Sequence, residues 1–362
     1  MADAIKNGRS AGLLCGALLC ALAVSGCSSV GARTVQVDQA SYAVALGEAQ
    51  KRQLLANIVR MRYGEPASFV TLGQIVQGYT LRGSADAGID FGLLGEETPT
   101  LGGNLTYEDR PTLTLTPIQG RDFRNGFLVP VPPQSIVSAL VIGWPPDLVL
   151  RLGVQSINGI PNALISGDRE SDADPRFLRI ASLMQELIVG DVIELALERT
   201  EGGTSPSVLV IRNPDRSSTV DIARLQELRQ LLGLSPTASR ISVEFGRTRP
   251  QARNVVHIQT RSYIQILYSV AATIDVPKEH IAAGITRRTI TDDPLSRRPT
   301  LAIRSGSADP GAMHVKTRYG GRWFWIENAD LESKRAFALL LTLLTLTDRG
   351  ENQQPPLLTI AG

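Results

Sequence analysis

Between residues 79 and 117 the chain reads YTLRGSADAGIDFGLLGEETPTLGGNLTYEDRPTLTLTP, with apolar and polar residues alternating almost without a break. Tyr79, Leu81, Gly83, Ala85, Ala87, Ile89, Phe91 and Leu93 fall on one side, opposite Thr80, Arg82, Ser84, Asp86 and Asp90. In the second half Leu105, Tyr107, Leu113 and Leu115 oppose Asn104, Thr106, Glu108, Arg110, Thr112, Thr114 and Thr116. A period of two makes strands with one wet face and one covered face. The connection, roughly 95–103, carries Pro99 and two glycine-rich ends, which suits a hairpin loop. Before it the pattern is helical. From Asp38 to Tyr63, Leu46, Leu54, Leu55, Ile58, Val59 and Met61 favour one side, and Lys51, Arg52, Arg60 and Arg62 another, until Gly64 and Pro66 stop the helix.

After the hairpin, residues 118–165 read as mostly helical, with Pro132-Pro133 and Pro145-Pro146 opening helices in their first turns. The polar run SGDRESDADP, residues 166–175, reads as a domain boundary. Helix and strand signals then alternate: helix 175–189, a hairpin of 191–199 with 207–212, helix 219–233, strand 240–246, strand 253–259 and helix 261–274. Strands near 301–305, 313–319 and 321–327 follow, then a core helix at 330–348 capped by Asp330, and a last strand at 357–361. The fold class expected is α+β: an N-terminal helical region (38–165) carrying the amphipathic β-hairpin 79–117, then a mixed α+β body (175–362).

The chain opens MADAIKNGRSAGLLCGALLCALAVSGCSS. Lys6 and Arg9 precede a twelve-residue apolar run, Leu13 to Val24, which is too short to span a bilayer. Val24-Ser25-Gly26-Cys27 resembles the lipobox of bacterial lipoprotein precursors, and the resemblance covers residues 1–28 only. It implies a signal peptide over 1–26, cleavage between Gly26 and Cys27, and a diacylglycerol-bearing, palmitate-type acylated Cys27 as the mature N-terminus. Residues 27–37 then read as a tether. Two or more acyl chains hold a protein firmly on a membrane, where one does not. The residue after Cys27 is Ser28 rather than Asp, which in this class implies the outer membrane, with the protein mainly facing the periplasm.

Composition narrows the chemistry. Cys15 and Cys20 lie in the segment to be removed and Cys27 is the proposed lipid site, so no thiol remains for a disulfide, a zinc site or a nucleophile. The formal charge is +2, which gives no electrostatic case for nucleic acid. His257, His280 and His314 lack metal-site spacing, and His257, between apolar neighbours on a strand, reads as a satisfied structural histidine. No phosphate loop, nucleophile elbow or dinucleotide fingerprint occurs. The acidic pairs Glu96-Glu97 and Asp292-Asp293 read as solvated loops, and Asp172 with Asp174 as a solvated linker rather than a cation site. Trp323 and Trp325 share a strand face and read as buried rather than as a stacking platform.

No cofactor, metal or catalytic residue is expected. The expected role is a non-enzymatic structural or assembly component of a cell-envelope complex, held by lipid through Cys27 and contacting protein partners or its own copies. The rival readings are a lipid-anchored enzyme and an oligomeric pore subunit contributing the hairpin to a barrel. For the hairpin face the competing covers are an ordinary sheet, a neighbouring subunit and lipid. Asp109 and Pro111, on the apolar side by spacing, and the thin run Gly83, Ala85, Ala87 weigh against lipid.

Overall fold

The computed structural model describes residues 30–76, 79–91, 97–109, 112–166, 169–197, 207–211, 218–246, 254–290 and 299–347. Helix α1 (Val30–Arg62) is 33 residues long, about 50 Å at 1.5 Å per residue. Its C-terminal part is the buried part: Leu54, Leu55, Ile58, Val59 and Met61 are at most 4% exposed, whereas Val44 is 68% exposed. The helix begins inside the segment 27–37 read above as a tether. Once the packed turns at 54–62 are in place, each further turn propagates at little cost. Arg62, assigned to the polar side by spacing, is buried instead.

Two ladders follow. Strand β1 (Val70–Val76) pairs antiparallel with β4 (Thr112–Pro117), and β2 (Tyr79–Phe91) pairs antiparallel with β3 (Glu97–Asp109). Val76 lies opposite Thr112 and Tyr79 opposite Asp109, so the register continues unchanged from one ladder to the next. Sharing one register, the two ladders make up the ribbon, and its outer ladder pairs Tyr79–Phe91 with Glu97–Asp109, about 43 Å at 3.3 Å per residue. Near its root the spacing of apolar residues breaks, with Leu72 followed by Ile75. A bulge absorbs the odd residue, Gly73, so that Leu72 still meets Leu115 and Ile75 meets Leu113.

No third strand joins this ribbon among the described residues. Both edges of each ladder are thus without a further strand among the described residues. The loop expected at 95–103 is corrected. Ala87 pairs with Leu101 and Ile89 with Pro99, so residues 97–103 belong to strand β3. Proline and glycine read as breakers in the sequence, yet a strand with a free edge tolerates both.

The body starts with a helical turn, α2 (Gly120–Phe123), that widens into a π-turn (Arg124–Leu128). Helices α3 (Pro133–Val141) and α4 (Pro146–Gly153) each carry proline in the first turn, as expected. Residues 154–166 are strand rather than helix: β5 (Val154–Ile157), β6 (Ile160–Pro161) and β7 (Leu164–Ser166), the last paired with β8 (Arg169–Ser171). Then come α5 (Pro175–Val189), β9 (Ile193–Leu197), β10 (Ser207–Ile211), α6 (Thr219–Leu232), β11 (Arg240–Phe245), β12 (Val255–Thr260), α7 (Tyr263–Ala272) and α8 (Lys278–Ala282). Strands β13 (Arg304–Gly306), β14 (Val315–Tyr319) and β15 (Arg322–Ile326) precede the last described helix, α9 (Leu331–Thr347).

Local chemistry accounts for several of these boundaries. Ser218 caps α6, and Gly233 closes it in the left-handed conformation at φ 67°. Ser262 and Gln265 form a reciprocal capping box on α7. The Asp330 carboxylate accepts from the Ser333 N–H at 3.0 Å and caps α9.

The main sheet runs β6-β5-β12-β11-β10-β9, antiparallel except for the β11–β12 pair. A smaller sheet runs β13-β15-β14. The larger sheet takes β5 and β6 from before the run 166–175 and β9 to β12 from after it. One apolar core extends from Leu54 on α1 to Leu343 on α9. Sheet and core thus take residues from both sides of the polar run, and its Asp174 caps α5 through the Arg176 N–H at 2.8 Å. The class is α+β. At the centre Tyr263 is fully buried and its hydroxyl donates to the Leu340 carbonyl of α9 at 2.9 Å. Burial holds that phenol far above its ordinary titration range.

Candidate functional site

The part of the molecule most unlike a closed core is the ribbon, and its root is built rigidly. Asn57, 2% exposed on α1, donates from Nδ2 to the Ser68 carbonyl at 2.7 Å and accepts the Ser68 N–H on Oδ1 at 2.9 Å. The side-chain amide thus pairs like a strand residue with the segment entering β1. Phe69 is buried beside it, and the Ile118 N–H at the exit of β4 donates to the Phe69 carbonyl at 2.9 Å. Phe69 stacks on Phe127 with centroids 4.4 Å apart, and Phe127 meets the edge of Tyr263 at 5.7 Å. Both legs of the ribbon are therefore fastened to the centre of the core. Replacing Asn57 with Ala leaves both Ser68 backbone groups without their partner. We expect a loss of about 1–3 kcal/mol, read as a lower urea midpoint at unchanged slope.

Between α1 and the root lies a chain of polar contacts drawn from distant segments. The Arg60 Nε donates to Glu65 at 2.8 Å, and the Tyr319 hydroxyl of β14 donates to the other oxygen of Glu65 at 2.6 Å. Tyr63 lies 4.9 Å from Tyr319 between ring centroids, and its hydroxyl is 2.9 Å from Nδ1 of His280 on α8. Arg62 reaches the carbonyl of Arg287 at 2.9 Å, while Thr286 donates to the Arg62 carbonyl at 2.7 Å. The end of α1 is thus held by α8, by the 286–289 segment and by the small sheet.

Tyr319 is pushed up to about 12, first by burial and then by its hydrogen bond to Glu65. Glu65 is held below the usual carboxylate range by that same bond and by Arg60. The signs differ. The Glu65 contribution is present above the unfolded carboxylate value and disappears as pH falls through its lowered one. The Tyr319 contribution is complete below the unfolded phenol value and disappears as pH rises through about 12. An ultraviolet phenolate titration is expected to find one tyrosine near 12 in the wild type, shifted downward in the Glu65→Gln variant.

A cavity of about 370 Å³ opens beside β5, β6 and β12. Among the described residues, Gln155, Ser156, Asn162, Ser171 and Gln259 supply its polar groups. Ser156 donates to Gln259 at 3.0 Å, and Asn162 is spent on the carbonyls of Arg151 and Val154. These described groups are amides and hydroxyls, donors and acceptors of hydrogen bonds.

The residues singled out in the sequence are not gathered into one place. Gly26, Cys27, Glu96, Asp292, Asp293 and the strand expected at 357–361 lie outside the described residues. His257 is buried on β12, with Nδ1 4.0 Å from Glu244, but its Nε2 lacks a hydrogen-bond partner among the described residues. The expectation of a fully satisfied histidine is corrected accordingly. His314 meets the edge of Phe337 at 6.2 Å, and burial lowers its pKa, assisted by Lys51 and Lys334. No group of His, Cys, Asp and Glu among the described residues is arranged to hold a metal. Asp174 is paired with Arg176 at 2.7 Å while Asp172 is exposed. Trp323 and Trp325 are half-buried within the small sheet, and Lys316 lies 4.9 Å from the Trp323 ring. Sequence reasoning missed Asn57, Glu65, Tyr63, His280 and Tyr319 as a group. They are brought together only by the fold, and no spacing signal marks them.

Compared with known protein families, curated proteins and solved structures, the chain matches none.

Proposed function

We propose that this protein is an outer-membrane-anchored lipoprotein facing mainly the periplasm, working as a non-enzymatic structural component of a cell-envelope assembly. Cys27 carries the lipid, and the ribbon is the element through which the protein associates. The observation that carries this reading is the ribbon itself: two long strands, fastened at their root to the core, with no third strand on either side among the described residues. Strands that leave both edges open are templates for pairing with another chain, and proteins normally cover or shorten them. Here they are extended instead, while Arg82, Ser84, Asn104 and Thr106 on the polar face stand exposed.

Two measurements test it together. Metabolic labelling with palmitate is expected to mark the wild type and to leave the Cys27→Ala variant dark. Photoreactive amino acids placed at Arg82, Ser84, Asn104 and Thr106 in living cells are expected to form protein adducts in high yield. An unlabelled wild type, or adduct yields no higher than at Asp309, exposed on the body, would overturn the proposal.

A further inference from the structure

We infer that the ribbon's partner is a second copy of this chain, and that ribbons from several copies pair edge to edge into a closed β-barrel crossing a lipid bilayer. This rests on the assembly reading above and gives that assembly a partner and a medium. The argument starts from the register. Leu81 with Tyr107, Gly83 with Leu105, Ala85 with Gly103, Ala87 with Leu101 and Ile89 with Pro99 occupy successive rungs of one face. None of these positions carries a charge. Charges appear one rung beyond each end, where Asp109 pairs with Tyr79 and Glu97 pairs with Phe91. Asp109, which counts against a membrane on spacing alone, therefore sits at the rim of the band.

The uncharged band covers nine residues of each strand, 81–89 and 99–107, and a tilted membrane strand needs about 9–11. Aromatic residues, Tyr79 and Tyr107 at one end and Phe91 at the other, fall where an interfacial girdle belongs. The opposite face, from Thr80 and Glu108 to Asp90 and Thr98, is polar throughout, apart from glycines at 88 and 102. This is the pattern of a barrel with lipid outside and water inside.

Closure follows from the backbone. Each long strand is paired on one side only among the described residues, so a row of N–H and C=O groups is left on both edges. Hydrocarbon supplies no partner for these groups, and a sheet survives there only when it closes on itself. No helix among the described residues is long and apolar enough to cross a membrane. A second copy brings a ribbon of the same length with its band at the same height, so β3 of one copy meets β2 of the next with the bands level. Repeating one such head-to-tail contact closes a ring. Within the ladder the polar face carries carboxylates at Asp86, Asp90 and Glu108 against the one arginine at Arg82, which makes the lumen prefer cations.

The test uses the full-length protein extracted in detergent from its own membrane, imaged and reconstituted into planar bilayers. Ring-shaped oligomers and a cation-preferring conductance are expected. Ala85→Asp puts a carboxylate mid-band and should reduce conductance at least tenfold. Ser84→Asp, one residue away on the wet face, adds a carboxylate to the lumen and should raise the cation-to-anion permeability ratio. Equal conductance for both variants, or none in the wild type while the ribbon crosslinks to a different protein, overturns the barrel and leaves the assembly reading standing. A ribbon that crosslinks to nothing overturns both.

Discussion

Removing residues 77–111 and joining Val76 to Thr112 through an Asn-Gly turn is expected to leave the body folded and to abolish its higher-order association. Val76 and Thr112 already face each other, so a two-residue connection closes the shortened ladder without moving the root. Asn57, Phe69 and Ile118, which fasten the two legs, are all retained. The melting temperature should therefore stay within about 2–4 °C of the full chain, the size of shift that about 1 kcal/mol produces in a larger domain. Size measurement in detergent should show a single small species where the full chain gives a large one. A collapse of the melting temperature would mean that the ribbon completes the core, contrary to the separation described above.

Phe324→Ala should cost the most stability of any single change at the junction between body and root. Phe324 is fully buried on β15, the central strand of the small sheet, and lies 6.1 Å from Tyr63 in an edge-to-face contact. Truncating a fully buried phenylalanine costs about 3–5 kcal/mol through lost transfer energy and the cavity left behind. The loss should appear as a lower denaturant midpoint. Because Tyr63 would lose its brace, the phenolate titration of Tyr319 should move in the same variant. An unchanged midpoint would mean that the small sheet contributes nothing to the fold around α1.

The elements most legible in the sequence were those whose period and caps agreed. Helix 219–233 ended at Gly233, the proline pairs opened α3 and α4, and the strands 240–246, 313–319 and 321–327 appeared within a residue or two of their expected bounds. Each of these carries its own start or stop chemistry, so little depended on distant residues. The misreadings share the opposite cause. The stretch 118–165 reads as mostly helical, whereas pairing with β12 makes Val154–Ile157 a strand. The run 166–175 is polar enough to look like a linker, yet Ala173 within it is buried and Asp174 caps a helix. The root of the ribbon was illegible for a stronger reason. Glu65 and Tyr319 are 254 positions apart, and nothing local in either segment anticipates the other.

Gly73 carries a consequence for direction. The apolar residues on either side of it already alternate correctly if it is skipped, so excising it would leave every facing pair beyond it as it is. What the extra residue adds is a bend and a sharper twist below an outer ladder about 43 Å long. Over that distance a tilt of a few degrees displaces the far tip by several ångströms. Gly73 thus aims the ribbon, and its loss would send an otherwise intact structure to the wrong place.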